Sequence, residues 1–198
     1  MATQRIDSRL RQEQIAQAAL DLIAHKGLAQ VSLTAVARRV GVVPSAIYRH
    51  FASKDEVLDA VARLILDRLM QNVDAACDQD RDPLIILESL LNRHTQMVRE
   101  NKGIPIILLS PDFYFERPDR RKLVYEGIGH YLKRVEELIK QASEDGLADA
   151  DVDPHAASLL FLGLIQPPAI LWHMSDGDFD VTRQTRQAWP MFLRAIQA

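Results

Sequence analysis

Apolar residues along this 198-residue chain recur with a helical period, and no run alternates as a half-buried strand would. That pattern restricts the chain to helices packed on helices. Ile15, Ala18, Ala19, Leu22 and Ile23 share one face of a first helix that Gly27 ends. Leu33, Val36, Ala37 and Val40 repeat at i, i+3, i+4, i+7 behind Ser32, a residue suited to N-capping. Gly41 breaks the pattern, and Pro44, pre-set for a first helical turn, opens a third short helix through Phe51.

The rest reads the same way. Ser53 and Glu56 have capping-box spacing and open a long fourth helix with the stripe Val57, Val61, Leu64, Ile65 and Leu69. Pro83 starts a helix that turns Leu87, Leu90, Leu91, His94, Met97 and Val98 inward and stops near Asn101 and Gly103. The aromatic segment from Ser110 to Asp119 reads as turn. Beyond it Val124, Ile128, Tyr131, Leu132, Val135, Leu138 and Ile139 define a helix that Gly146 ends. Asp153-Pro154 starts the next, and Asp180 caps the last. The fold class expected is all-α, about nine helices, with a three-helix domain carrying a helix-turn-helix over residues 1–52. A helical ligand-binding and dimerisation domain occupies 53–198.

Charge divides the chain at the same place. Residues 1–52 hold seven Lys/Arg and three acids, a net +4, whereas the remainder carries −7. One end is therefore suited to meet a polyanion and the other is not. Cys77 is the single cysteine, which excludes an internal disulfide and suits a reducing cytoplasm. No apolar leader opens the chain. The stretch from Ala156 to Trp172 is short for a membrane span and contains Ser158, Gln166, Pro167 and Pro168, so a helix buried in a protein core or interface is expected there and no membrane partner.

A helix-turn-helix needs a short supporting helix, a tight turn and a second helix whose outer face enters the major groove. Leu33 to Phe51 supplies these in order, with Val36, Ala37, Val40, Ile47 and Phe51 as packing positions. Ser45, Tyr48, Arg49 and His50 face outward, and Lys54 comes next, placed for a backbone phosphate. Arg38 and Arg39 read as a solvated helix face.

The run from Arg11 to Val61 resembles the DNA-binding domain of the TetR (tetracycline repressor) family of bacterial regulators. The resemblance rests on Ala18–Leu20, Gly27, the segment Val31–Ala37, Gly41–Val42, Ile47–Phe51 and Lys54. It implies that Tyr48, His50 and Lys54 contact phosphates and that Thr34 does so from the supporting helix. Ser45 and Arg49 are then the candidates for reading bases. Val43 and Ala46 stand where the family usually carries hydroxyl residues, which removes a helix cap and a phosphate contact. The resemblance further implies a ligand held among the central helices. It also implies a homodimer formed through the last two helices, here about Pro154–Ser175 and Val181–Gln197, with kinks at Pro167-Pro168 and Pro190.

Polar groups on apolar faces and clustered aromatics mark candidate pocket residues: His94, Met97, Phe113, Phe161, Gln166 and Trp172, suited to an apolar or aromatic effector. No phosphate-binding glycine loop, nucleophile elbow or HExxH is present, so no catalytic residue, metal or cofactor is expected. The expected function is a cytoplasmic repressor that a small molecule releases from a pseudo-palindromic double-stranded operator. Two alternatives stay open: a helical carrier or enzyme on a DNA-binding-like scaffold, and an effector-independent nucleoid-associated protein.

Overall fold

The computed structural model describes residues 2–197, and every regular element among them is helical. The chain forms two compact units, one of residues 1–67 with 101–124, the other of residues 68–100 with 125–198.

The first unit begins with α1 (Ala2–Lys26), which Gly27 ends at φ 79° while its N–H donates to the Ile23 carbonyl at 2.9 Å. A single 3-10 turn (Leu28–Gln30) leads to α2 (Leu33–Val40). The Ser32 hydroxyl accepts from the Ala35 N–H at 3.1 Å, relieving one of the donors that a helix start leaves unmatched. Gly41, at φ 78°, closes α2 in the left-handed region, where a side chain would strain. Helix α3 (Pro44–Tyr48) comes next, packed against α2, and then α4 (Lys54–Cys77). Ile15, Ala19, Ile23, Val36, Ile47, Val57 and Val61 are sealed in this core.

Helix α5 (Pro83–Glu100) belongs to the second unit, and residues 101–124 return the chain to the first. They complete it with α6 (Gly103–Leu109), α7 (Pro111–Tyr114) and the first turns of α8 (Pro118–Glu144). Over Ser110–Asp119 the sequence pattern predicts turn, where the structure has α7 and the start of α8. Pro105 lies in the first turn of α6, where its missing N–H has no intrahelical acceptor to lose. α6 lies against α1 so closely that a Cβ on Gly103 would come within 2.6 Å of the Leu20 carbonyl oxygen and 2.7 Å of Leu20 Cδ1.

The second unit holds α5, the remaining turns of α4 and α8, α9 (Pro154–Gly163), α10 (Gln166–Met174) and α11 (Val181–Ile196). The Asp82, Asp153 and Asp180 carboxylates cap α5, α9 and α11 by accepting from the N–H groups of Leu84, His155 and Arg183 at 2.8, 3.0 and 3.0 Å. Helix α11 packs on α5, α9 and α10. Phe192 stacks on Trp189 at 5.5 Å between centroids and meets Phe161 edge-on at 5.7 Å.

The expected bent helix over Pro154–Ser175 is instead two helices, broken at Leu164 and Ile165. Pro167 and Pro168 occupy the first turn of α10, so their absent donors coincide with positions that have no partner in any helix. Pro190 differs: α11 continues through it. Both Pro190 and Arg186, the residue whose carbonyl loses its partner, lie exposed, where water can take the bond.

Two glycine substitutions should respond oppositely. Gly103→Ala should cost about 1–3 kcal/mol in urea unfolding, because backbone has to move to admit the methyl group. Gly129→Ala, in the middle of α8 with open space at its Cβ, should gain about 0.5–1 kcal/mol.

Candidate functional site

The α2–α3 pair presents one apolar and one polar side. Ile47 is 1% exposed, whereas Tyr48, its neighbour in sequence, is 57% exposed. Thr34, Ser45 and Arg49 are exposed, His50 is half-buried, and all six DNA-binding candidates belong to the first unit. The third helix is shorter than its sequence pattern predicts. It ends at Tyr48, with Arg49 still in the right-handed region and His50 in the turn after it. The Ile47 carbonyl accepts from the N–H groups of both His50 (2.8 Å) and Phe51 (3.0 Å), which holds that turn against the buried Phe51 ring.

Val43 occupies the N-cap of α3 and makes no capping bond through its side chain, as its chemistry dictates. It is 64% exposed beside Ser45. In the sequence it reads only as a lost cap. An isopropyl group on this face is also a surface for a thymine methyl.

Lys54 opens α4, and its ammonium donates to the Leu28 carbonyl at 3.1 Å. An ammonium has three protons, so this bond orients the group without consuming it. Around it, the Ser53 hydroxyl accepts from the Glu56 N–H at 3.2 Å. The Glu56 carboxylate reaches back to the Ala52 N–H at 2.7 Å, one residue before the partner a capping box uses. Of the two arginines read as solvated, Arg39 pairs loosely with Asp21 at 3.4 Å, and both are exposed.

The six pocket candidates are divided between the two units. His94 and Met97 are buried on α5. His94 Nδ1 is hydrogen-bonded to the Tyr131 hydroxyl of α8 at 3.1 Å, with the rings edge-on at 5.4 Å. Met97 Sδ accepts from the Asn72 amide of α4 at 3.6 Å. Phe161 is committed to the aromatic cluster with Phe192, while Gln166 and Trp172 on α10 are half-buried. Phe113 belongs to the first unit, where it is fully buried beneath the Arg120 guanidinium. The polar partners Tyr131 and Asn72 are not evident from sequence. Tyr131 sits on an apolar stripe, and only the fold brings it to His94.

The surface also carries a cleft of about 490 Å³ bordered by Gln79, Glu88, Asn92 and Arg93, and another of about 300 Å³ bordered by Arg9, Phe51 and Arg63. Neither is lined by any of the six. Among the described residues no group of His, Cys, Asp and Glu is arranged to hold a metal ion.

Burial pushes the His94 imidazole down to about 4 and raises the Tyr131 phenol, so the pair is neutral at physiological pH. Between about pH 4 and 6.5 the unfolded chain binds a proton that the folded chain refuses. The stability His94 leaves intact above pH 6.5 is therefore lost as pH falls, by up to about 3 kcal/mol below pH 4. Urea unfolding at pH 7 and pH 5 should show His94→Gln losing about 2 kcal/mol less than the wild type over that interval. Equal losses would mean that the folded protein accepts the proton.

Comparison with known proteins gives this architecture a family. Residues 15–61 match bacterial regulatory proteins of the tetR family, and residues 80–196 match the tetracyclin repressor-like C-terminal domain. The nucleoid occlusion factor SlmA of Aliivibrio fischeri is 25% identical over 192 residues, covering 94% of this chain and 96% of its own. The fold is shared with the transcriptional regulator FadR from Bacillus subtilis in complex with stearoyl-CoA. That match has TM-score 0.77 and 19% identity, over 93% of this chain and 98% of FadR. It is shared too with AibR in complex with isovaleryl coenzyme A and operator DNA, at TM-score 0.69 and 22% identity, over 91% and 97% of the chains. The two family matches together span the helix-turn-helix and most of the C-terminal helices, and the chain belongs to the TetR family of DNA-binding transcriptional regulators.

Proposed function

We propose that the chain is a homodimeric repressor that leaves a pseudo-palindromic operator when a small molecule binds its second unit. The observation that carries the reading is the polarity of α3: Ile47 anchors the helix while Ser45, Tyr48 and Arg49 project outward beside Lys54. Tyr48, His50, Lys54 and Thr34 take phosphates, and Ser45 and Arg49 face base edges. Two copies then set two such faces roughly 34–36 Å apart, one turn of duplex. This reading places the protein in the cytoplasm, with its operator.

Dimerisation is supported by apolar side chains that the protomer leaves uncovered. Leu159, Leu160, Leu171, Met174 and Met191, on α9, α10 and α11, are all about half exposed or more. The stretch Pro154–Met174 is apolar enough by composition to cross a membrane, yet only 33% of its most apolar window is buried within the protomer. A second copy covering these helices accounts for that exposure, since isologous interfaces resemble a core cut in half. Leu160→Glu with Met191→Glu should yield a monomer by sedimentation and weaken binding to a two-half-site duplex at least tenfold. A dimer that persists in this variant would move the interface elsewhere.

For the effector, the neutral His94–Tyr131 pair within an apolar core suits an uncharged polar group on an apolar chain. FadR and AibR, which share the fold, were each solved with an acyl coenzyme A. A thioester of that class is the first effector to test. A second reading, effector-independent binding to the nucleoid, draws on the likeness to nucleoid occlusion factor SlmA.

One sequence of experiments separates these. Duplexes enriched from random DNA by the purified chain define the operator, and acyl coenzyme A compounds of graded chain length are then tested for release. Tyr48→Ala with Lys54→Ala should weaken operator binding tenfold or more. It should also lower the slope of log K against log salt by about one, because only the lysine displaces a counterion. Unchanged affinity and slope would refute the assignment. Enriched duplexes that no thioester, aromatic or other apolar compound releases would favour the nucleoid reading.

A further inference from the structure

The first turn of α4 is held by more contacts than a helix start requires. Arg120, at the beginning of α8, is 3% exposed. Its Nε donates to Asp59 Oδ1 at 2.6 Å, and its Nη2 to the Asp55 carbonyl at 2.9 Å and to Asp55 Oδ1 at 3.3 Å. Its Nη1 donates to the Phe113 carbonyl at 3.0 Å, and the guanidinium plane covers the Phe113 ring 5.0 Å from its centroid. Arg117 pairs with the other Asp55 oxygen.

A guanidinium offers five donors at fixed angles, so this set of acceptors defines both the position and the roll of the turn that carries Asp55 and Asp59. Adhesion alone does not call for it. The guanidinium is buried while both carboxylates stay about a third exposed, and the cost of desolvating the cation offsets much of the attraction that would hold the helices together. What the arginine supplies and a leucine does not is geometry, together with a cation that faces Asp59 and shares Asp55 with Arg117. Both matter at this place in the chain. Lys54 immediately precedes Asp55, and Phe51, which closes the recognition turn, is three residues earlier. A roll of the first turn displaces the lysine. Loss of the arginine also leaves Asp59 without its cation and Asp55 with Arg117 alone, on the helix that begins with the group meant for a phosphate.

We infer that Arg120 is a positioning residue for DNA binding, holding the first turn of α4 so that Lys54 reaches the duplex backbone. The inference rests on the DNA contact proposed for Lys54. It adds that the contact is set from segment 101–124, which the helix-turn-helix sequence does not include.

The test uses the full chain and the duplex enriched by the wild type, with a random-sequence duplex of equal length as control. Arg120→Met should weaken specific binding tenfold or more and lower the salt slope by about one while helical circular dichroism is retained. Arg120→Lys, which keeps the charge but not the fork, should recover part of the loss. Adding Lys54→Ala to Arg120→Met should cost less than twofold more, although Lys54→Ala alone is costly, since two changes that disable one contact do not add. If Arg120→Met fails to fold, Arg120→Met with Asp59→Asn removes the stranded charge. That variant should show the same insensitivity to Lys54→Ala.

Full additivity of the Arg120 and Lys54 changes, or Arg120→Met binding within twofold of wild type at full slope, would overturn the inference and leave the DNA-binding reading standing. A wild-type chain that enriches no duplex would overturn both.

Discussion

Five residues of helix cannot support themselves in water, because the cost of nucleating a helix is recovered only over several further turns. Helix α3, Pro44–Tyr48, is in that position, and it carries Ser45 and Tyr48, two of the outward residues proposed for DNA contact. It persists because Ile47 is sealed into the first unit, because Gly41 takes a left-handed turn that brings α3 back onto α2, and because Phe51 anchors the exit. The apolar side of the motif thus fixes the polar side. On the proposed reading, changes at Ile47 and Phe51 act on DNA through geometry, and changes at Tyr48 or Lys54 act through contact.

Features legible in the sequence are those set within a few residues. Ser32, Asp153 and Asp180 accept cap bonds as their side chains and positions dictate, and Gly27, Gly41 and Gly146 adopt positive φ where helical stripes stop. The buried faces of α1, α2 and α5 arise from their periodicity for the same local reason. Less visible were α6 and α7, where Pro105 and Pro111 look like breakers until each is placed in a first turn. The same ambiguity joined α9 to α10. A proline pair reads equally as a kink or as a start, and only the turn at Leu164 and Ile165 decides.

Long-range placement is a different matter. A partition at residue 52 tracks the motif, whereas compact packing carries the first unit to residue 67 and brings in residues 101–124. Nothing in the local pattern around Arg120 distinguishes it from Arg121, its neighbour in sequence. One is buried among Asp55, Asp59 and Phe113, and the other is exposed. Phe113 illustrates the converse. Its apolar bulk marks it as a candidate pocket residue, and among its neighbours are the Arg120 guanidinium and Tyr114. Residue type was informative in both cases, but the partner that gives it meaning lies across the fold.

Each unit has, among its buried polar groups, a clear departure from the least costly core. In the first it is Arg120 with its carboxylates, and in the second the neutral His94–Tyr131 pair. A neutral hydrogen bond contributes about 1 kcal/mol net, so an apolar pair of equal volume would hold α5 to α8 as well. Such departures from local economy concentrate where a protein does something besides fold. Helices α4 and α8 each contribute residues to both units, and α8 carries Arg120 in one and Tyr131 in the other. On the proposed reading, a ligand that engages the second departure alters DNA affinity only if it binds two states of the chain unequally, and the duplex must then bias the ligand site by the same factor.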